Sequence, residues 1–338
     1  MSTLQRTVLQ SLRAAAALGA AATLIAACSG GSLTPPTAPG AASPAGAAQA
    51  LSALRPSVSR AGFTFTTLDD QADPTFNQLL GVNNKGKIAG YFGIGTLPAH
   101  PNQGYMLLPP YGQSNYVNEN FPGSVQTQVT AINTHGDTAG FWADSKNVDR
   151  GFIEWRGVFT SYTDPKMRHS KTTQILGIND SGIAVGFYND AKGNSHGFTL
   201  NQATGQFKPV IVPGAVTLTA TGINDAGDIT GFSTSSSKQT SSFLIRGGQL
   251  TSFTFPGGSN TQSLGVNNHD QMVGSYDDGA GVLHGFLLSD PLTHAKWQSI
   301  DDPNGIGSTV VNGLNDKNEM VGFYTDAAGN VDGMLIAR

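Results

Sequence analysis

The chain has 338 residues, 43 of them Gly and one Cys; only 12% are charged, and the formal net charge is −4. Average soluble domains carry about 7% Gly and about 25% charged residues, and a coiled coil or helical bundle needs Ala, Glu, Lys and Leu at helical spacing, so both helical classes are excluded. One Cys cannot make a disulfide scaffold, and 17 Phe with 8 Tyr supply too much core material for a chain disordered throughout.

Residues 1–27 open with Arg6 and Arg13 and continue through an uncharged apolar stretch from Ala14 to Ala27. That stretch is short for a bilayer span and fits a secretory signal. Ile25-Ala26-Ala27-Cys28 resembles the lipobox of bacterial lipoproteins. The resemblance implies cleavage before Cys28, lipidation of its thiol, and, with Ser29 following, an outer-membrane destination. Several acyl chains make such anchoring stable, at about 0.8 kcal/mol per buried CH₂. Residues 28–60 are mostly Ser, Gly, Pro and Ala, too poor in large apolar groups to offset ordering entropy, and read as a disordered tether. The four Arg among the first 60 residues leave 15 basic against 23 acidic residues in 61–338, a net charge of −8. No basic stripe with interleaved aromatics is present, so no nucleic-acid partner is expected. The membrane is a partner through the lipid anchor only, and a monomer is expected.

Residues 61–338 repeat a phrase six times, ending at Asn83, Asn133, Asn179, Asn224, Asn267 and Asn315, with gaps of 50, 46, 45, 43 and 48. Seven residues after each Asn stands a Gly: Gly90, Gly140, Gly186, Gly231, Gly274 and Gly322. Five of these precede Phe or Tyr, and Gly274 precedes Ser275. Period-two alternation, as in Ile183–Phe187, makes the pieces strands. Four fit each unit: strand a ends in Gly-Ile-Asn, strand b in Gly-Phe, strand c carries Gly-Phe-x-Leu, and strand d resembles Thr251–Phe255. The turn between a and b has Gly at its fourth position four times, then Asp270 and Asn318, the residue types that best tolerate positive φ. A type I turn with a Gly bulge is predicted there, with the leading Asn bonding the backbone.

The sixth unit stops after strand c, while Gly62–Asp69 looks like a strand d without companions. Both irregularities resolve if the N-terminal strand completes the last unit. The predicted fold is therefore an all-β, six-bladed β-propeller of four-stranded blades; the rival is an open solenoid of the same units.

Phrases such as Gly177-Ile178-Asn179-Asp180-Ser181-Gly182 and Ser195-His196-Gly197-Phe198-Thr199-Leu200 resemble the bacterial HAF-type extracellular repeats, with Gly in place of the central Ala. The resemblance covers 62–338 and implies an exported protein; it supplies no chemistry.

Repeat-equivalent His residues, such as His135 with His269 and His196 with His284, belong to different blades and offer no convergent zinc set. Asp144, Asp190, Asp278 and Asp326 each head a b–c turn, the ordinary place for Asp. No cofactor is expected; a weak single-loop cation site around Asp277 and Asp278 is the nearest approach to one. Neither a G-x-S-x-G elbow nor a phosphate loop occurs. Unit 1 departs from regularity: its b–c connection, Phe92–Gln103, is three residues longer and contains His100, and its c–d connection contains Tyr111 and leads to Tyr116. With Tyr91 and Tyr105 these form the candidate ligand-binding set, since amphipathic aromatics suit sugar or peptide faces. The two connections should open on opposite faces. The reading favours a surface-anchored binding module for a glycan or protein over an enzyme. The alternative is a polysaccharide hydrolase or lyase using Asp residues at one mouth of the ring.

Overall fold

The computed structural model describes residues 58–60, 62–167 and 172–338; the expected signal peptide, Cys28 and the tether through residue 57 lie outside the described residues. Strand-forming alternation dominates as expected, and the one helix among the described residues is the three-residue 3₁₀ turn Gln113–Asn115. No described helix is long and apolar enough to cross a membrane.

Six antiparallel sheets form a propeller, each in the simple order a-b-c-d. Blade 1 comprises Asn77–Val82, Ile88–Phe92, Gln103–Leu107 and Tyr116–Asn118. Blade 4 comprises Ala215–Ile223, Ile229–Ser235, Thr240–Arg246 and Gln249–Phe253. In the last blade, Thr309–Leu314, Met320–Thr325 and Val331–Ala337 are completed by Phe63–Thr67, which pairs with Val331–Ala337 from Thr64 opposite Ala337 to Thr67 opposite Met334. The N-terminal strand thus closes the ring, which removes the free edges an open array would expose. One addition was not legible in the sequence: Val58–Arg60, within the stretch read as tether, folds back on Phe63–Thr67 as a fifth strand.

The core lies between blades. Strand-c rings pack between strand a of their own blade and strand b of the preceding one, as Phe152 does with Val129 and Ala89, and Phe243 with Leu218 and Val185. Phe63 and Phe65 enter the same kind of core beside Val311, Met334 and Ile336.

Glycine makes the tight interfaces. At the axis, Gly81, Gly222, Gly265 and Gly313 bring neighbouring innermost strands so close that a Cβ would stand about 3 Å from the next backbone. The a–b turns form as predicted: φ is 74° at Gly86, 84° at Gly227, 59° at Asp270 and 64° at Asn318.

Candidate functional site

Every innermost strand carries a bulge at the same place, one residue before the Gly or Ala of the Gly-Ile-Asn phrase. A bulge leaves one residue out of the ladder and re-aims its side chain. Here it turns Leu80, Thr130, Leu176, Thr221, Leu264 and Asn312 onto the propeller axis, where they floor a cavity of about 260 Å³. Polar and apolar members alternate around this ring. The polar ones tie blades together: Thr130 Oγ1 donates to Ile175 O at 2.8 Å, Thr221 Oγ1 to Ser263 O at 2.8 Å, and Asn312 Nδ2 to Leu79 O at 2.9 Å.

Above the floor, the ladder pairs strand-a polar residues with the aromatic residue that follows the strand-b Gly. Gln78 lies opposite Tyr91, Gln128 opposite Phe141, and Thr219 opposite Phe232. In blade 5 the partner of Gln262 is Ser275, which leaves a gap in the aromatic wall. Tyr91 donates its hydroxyl hydrogen bond to Gln78 Oε1 at 3.0 Å. Among the described residues no protein group hydrogen-bonds the side chains of Gln128, Gln262 or Thr219, although Gln128 is only 6% and Thr219 only 7% exposed. All three line the cavity, and their polar atoms keep access to its space as available donors and acceptors. No charged residue lines it.

The opposite mouth, formed by the a–b turns, is a smaller and fully committed space. The repeated Asn side chains accept from backbone N–H groups of their own turn, as Asn83 Oδ1 does from Lys85 and Lys87 at 3.0 Å. Their Nδ2 groups reach across to the next blade's Asn carbonyl at 2.9–3.2 Å in five of the six blades. Asn133 Nδ2 instead donates to Asp137 Oδ2. A second circle runs outside the first: backbone N–H groups of Thr134, Asp180, Asp225, Asn268 and Asp316 donate to the next blade's Asp or Asn side chain at 2.8–2.9 Å. Burial opposes ionisation of Asp316, but hydrogen bonds from Asn84 and Asn268 hold its carboxyl below the usual range. The three Asp at this mouth are built into the ring.

The residues singled out in unit 1 do not converge. Tyr91 lines the axial cavity. Tyr105 and Tyr116 meet edge to face at 4.9 Å inside the blade, and neither hydroxyl meets a protein partner. Burial drives both phenols well above their ordinary range. Tyr111 donates to Gly86 O at 2.8 Å, on the a–b turn side. His100 Nδ1 lies 2.8 Å from Asp73 Oδ2 on the long b–c connection. Asp278 Oδ1 accepts from Ala280 and Val282 N–H, and Asp277 Oδ2 from Asn260. Among the described residues no three His, Cys, Asp or Glu gather as a metal site.

His196 and His284 have a repeat role that the sequence did not reveal. Each stands across from a b–c turn Asp, His196 Nε2 at 3.1 Å from Asp190 and His284 Nε2 at 3.4 Å from Asp278, and each stacks on a strand-b Tyr. Arg150 does the same in blade 2, with Asp144 and Trp142. The cavity residues were also missed, although a signal existed: Gln recurs three residues before the axial Gly or Ala in four units, an unusual residue for a buried strand.

No protein-family model and no curated protein sequence matches the chain. Solved propellers do. A putative TolB from Agrobacterium tumefaciens is similar at 10% identity with a TM-score of 0.54, over 81% of this chain and 97% of that one. TolB from Acinetobacter baumannii aligns at 12% identity and 0.50, over 75% of this chain but only 64% of its own length. A triple mutant of AofleA from Arthrobotrys oligospora gives 12% and 0.50, covering 83% and 89%. At such identities the likeness shows the fold alone.

Proposed function

We propose that the protein is a binding module of the bacterial envelope and that its ligand site is the axial cavity. The observation that carries this reading is the pair of largely buried side chains, Gln128 and Thr219, whose polar ends make no protein hydrogen bond and reach an uncharged cavity. A cavity with aromatic walls and a few convergent polar groups is the ordinary form of a small-ligand site. The lipobox-like Cys28 and the HAF-like repeats support export and anchoring, with residues 28–57 as the spacer.

The test is thermal melting of the full chain against neutral saccharides, capped peptides and charged counterparts. A ligand at about 100 times its Kd adds about 2.7 kcal/mol of stability, which raises the melting temperature by about 5 °C or more. Thr219→Trp, which fills the cavity, should abolish the shift. Absence of any shift, or an equal one in Thr219→Trp, contradicts the reading.

A further inference from the structure

The geometry points to a neutral oligosaccharide as the ligand, its terminal sugar in the axial cavity and its chain leaving over the b–c ends of blades 3 and 4. This rests on the axial-site reading and adds a ligand class and a direction.

The direction comes from the lopsided lining. Blades 3 and 4 supply 11 of the 20 lining residues, whereas blade 6 supplies Asn312 alone. On these two blades the lining climbs to the b–c ends, through Asn189, Gly193 and Ser195 of blade 3 and Thr217, Thr234 and Thr240 of blade 4. Asn189 and Ser195 are the repeat equivalents of Thr234 and Thr240, so both blades present the same face of the sheet to the mouth.

Blade 4 is built differently at this place. Where blades 2, 3 and 5 have an aromatic ring, a basic side chain and a turn Asp, blade 4 has Ser233, Ser241 and Ser235. The stacked aromatic and ion-paired turn of those three blades are replaced by small hydroxyl residues, on the face of blade 4 that looks toward blade 3, so no charge borders the blade 3 rim from that side.

The class comes from chemistry. A cavity of about 260 Å³ is below the about 300–1,000 Å³ of drug-sized sites, so it takes one or two sugar rings and leaves the rest of a chain to the rim. Sugar hydroxyls both donate and accept, as do the carboxamides of Gln128, Gln262 and Asn189 and the hydroxyls of Thr217 and Thr219. Those five side chains have no hydrogen-bond partner among the described residues. Phe187 and Phe232 offer apolar faces to the C–H side of a ring. With no opposite charge in the lining, a uronate, a phosphate or a free peptide terminus would be buried unpaired, which is strongly unfavourable.

Calorimetric titration of the full chain with neutral gluco-, manno- and galacto-oligosaccharides of one to five residues tests this. Affinity should rise about tenfold or more from the monosaccharide to the trisaccharide and then level off. Thr234→Trp, on the blade 4 rim, should weaken trisaccharide binding at least tenfold and the monosaccharide less than threefold. Ser195→Trp on the blade 3 rim repeats the test if Thr234→Trp fails to fold. Length-independent affinity, or full trisaccharide binding by both rim variants, overturns the exit over these blades. Binding confined to acidic saccharides or capped peptides overturns the neutral-glycan class; the axial reading survives that result only if Thr219→Trp blocks the binding. No binding by any probe defeats both.

Discussion

Asn224 shows how one residue type holds six turns and their neighbours. Its Oδ1 accepts from Asp228 N–H at 2.9 Å within the turn, and its Nδ2 donates to Asn267 O at 3.2 Å in the next blade. Asn224→Ala leaves buried backbone groups unpaired and should cost about 1–3 kcal/mol, read by denaturant unfolding; an unchanged midpoint would show that the ring does not cross-link. The within-turn role was legible in the sequence, because Asn at a turn head has one dominant use. The cross-blade bond was not, because it joins residues about 45 positions apart. Asp149 makes a second residue-scale case. Burial pushes its carboxyl from 3.8 up to about 6, against a hydrogen bond from Gln174 Nε2 at 2.9 Å. The unfolded chain therefore releases this proton first as pH rises. For this group stability is greatest below about pH 4, falls between about 4 and 6, and stays about 3 kcal/mol lower above 6. Asp149→Asn keeps an acceptor for Gln174, so it should raise stability at pH 7–8 and remove that fall. An unaltered stability–pH curve would contradict the assignment.

At the scale of elements, the N-terminal strand carries the closure. Phe65 is 4% exposed and pairs with Ile336 from the far end of the sequence. Phe65→Ala should cost about 3–5 kcal/mol, whereas Val158→Ala on the exposed outer strand of blade 2 should stay within about 0.5 kcal/mol. Equal effects would mean that the strand only decorates the ring. Strand count, turn type and closure were readable because period-two alternation and the fixed Asn-to-Gly spacing recur six times. Val58–Arg60 was unreadable because a short edge strand among Ala, Pro and Ser has no apolar pattern to betray it. The axial bulge was hidden for a related reason: it breaks alternation by one residue, so Leu80 or Thr130 looks core-facing on one side of the bulge and solvent-facing on the other.

For the whole molecule, the two mouths of the ring have opposite characters. The a–b turn mouth is consumed by its own circles of hydrogen bonds, whereas the axial cavity keeps unpartnered carboxamides and hydroxyls over an alternating Leu and polar floor. Unit 1 is the irregular unit of the sequence, yet the cavity is made by the most regular positions, and its lining is weighted to blades 3 and 4. The most direct test of the axial site is methyl NMR of Leu80, Leu176 and Leu264 during titration of the full chain with the neutral oligosaccharides. The account predicts that these floor methyls shift together, saturating at one Kd, while Leu292, 41% exposed and outside the cavity, stays fixed. Saturable binding that leaves the three floor leucines unmoved would contradict it.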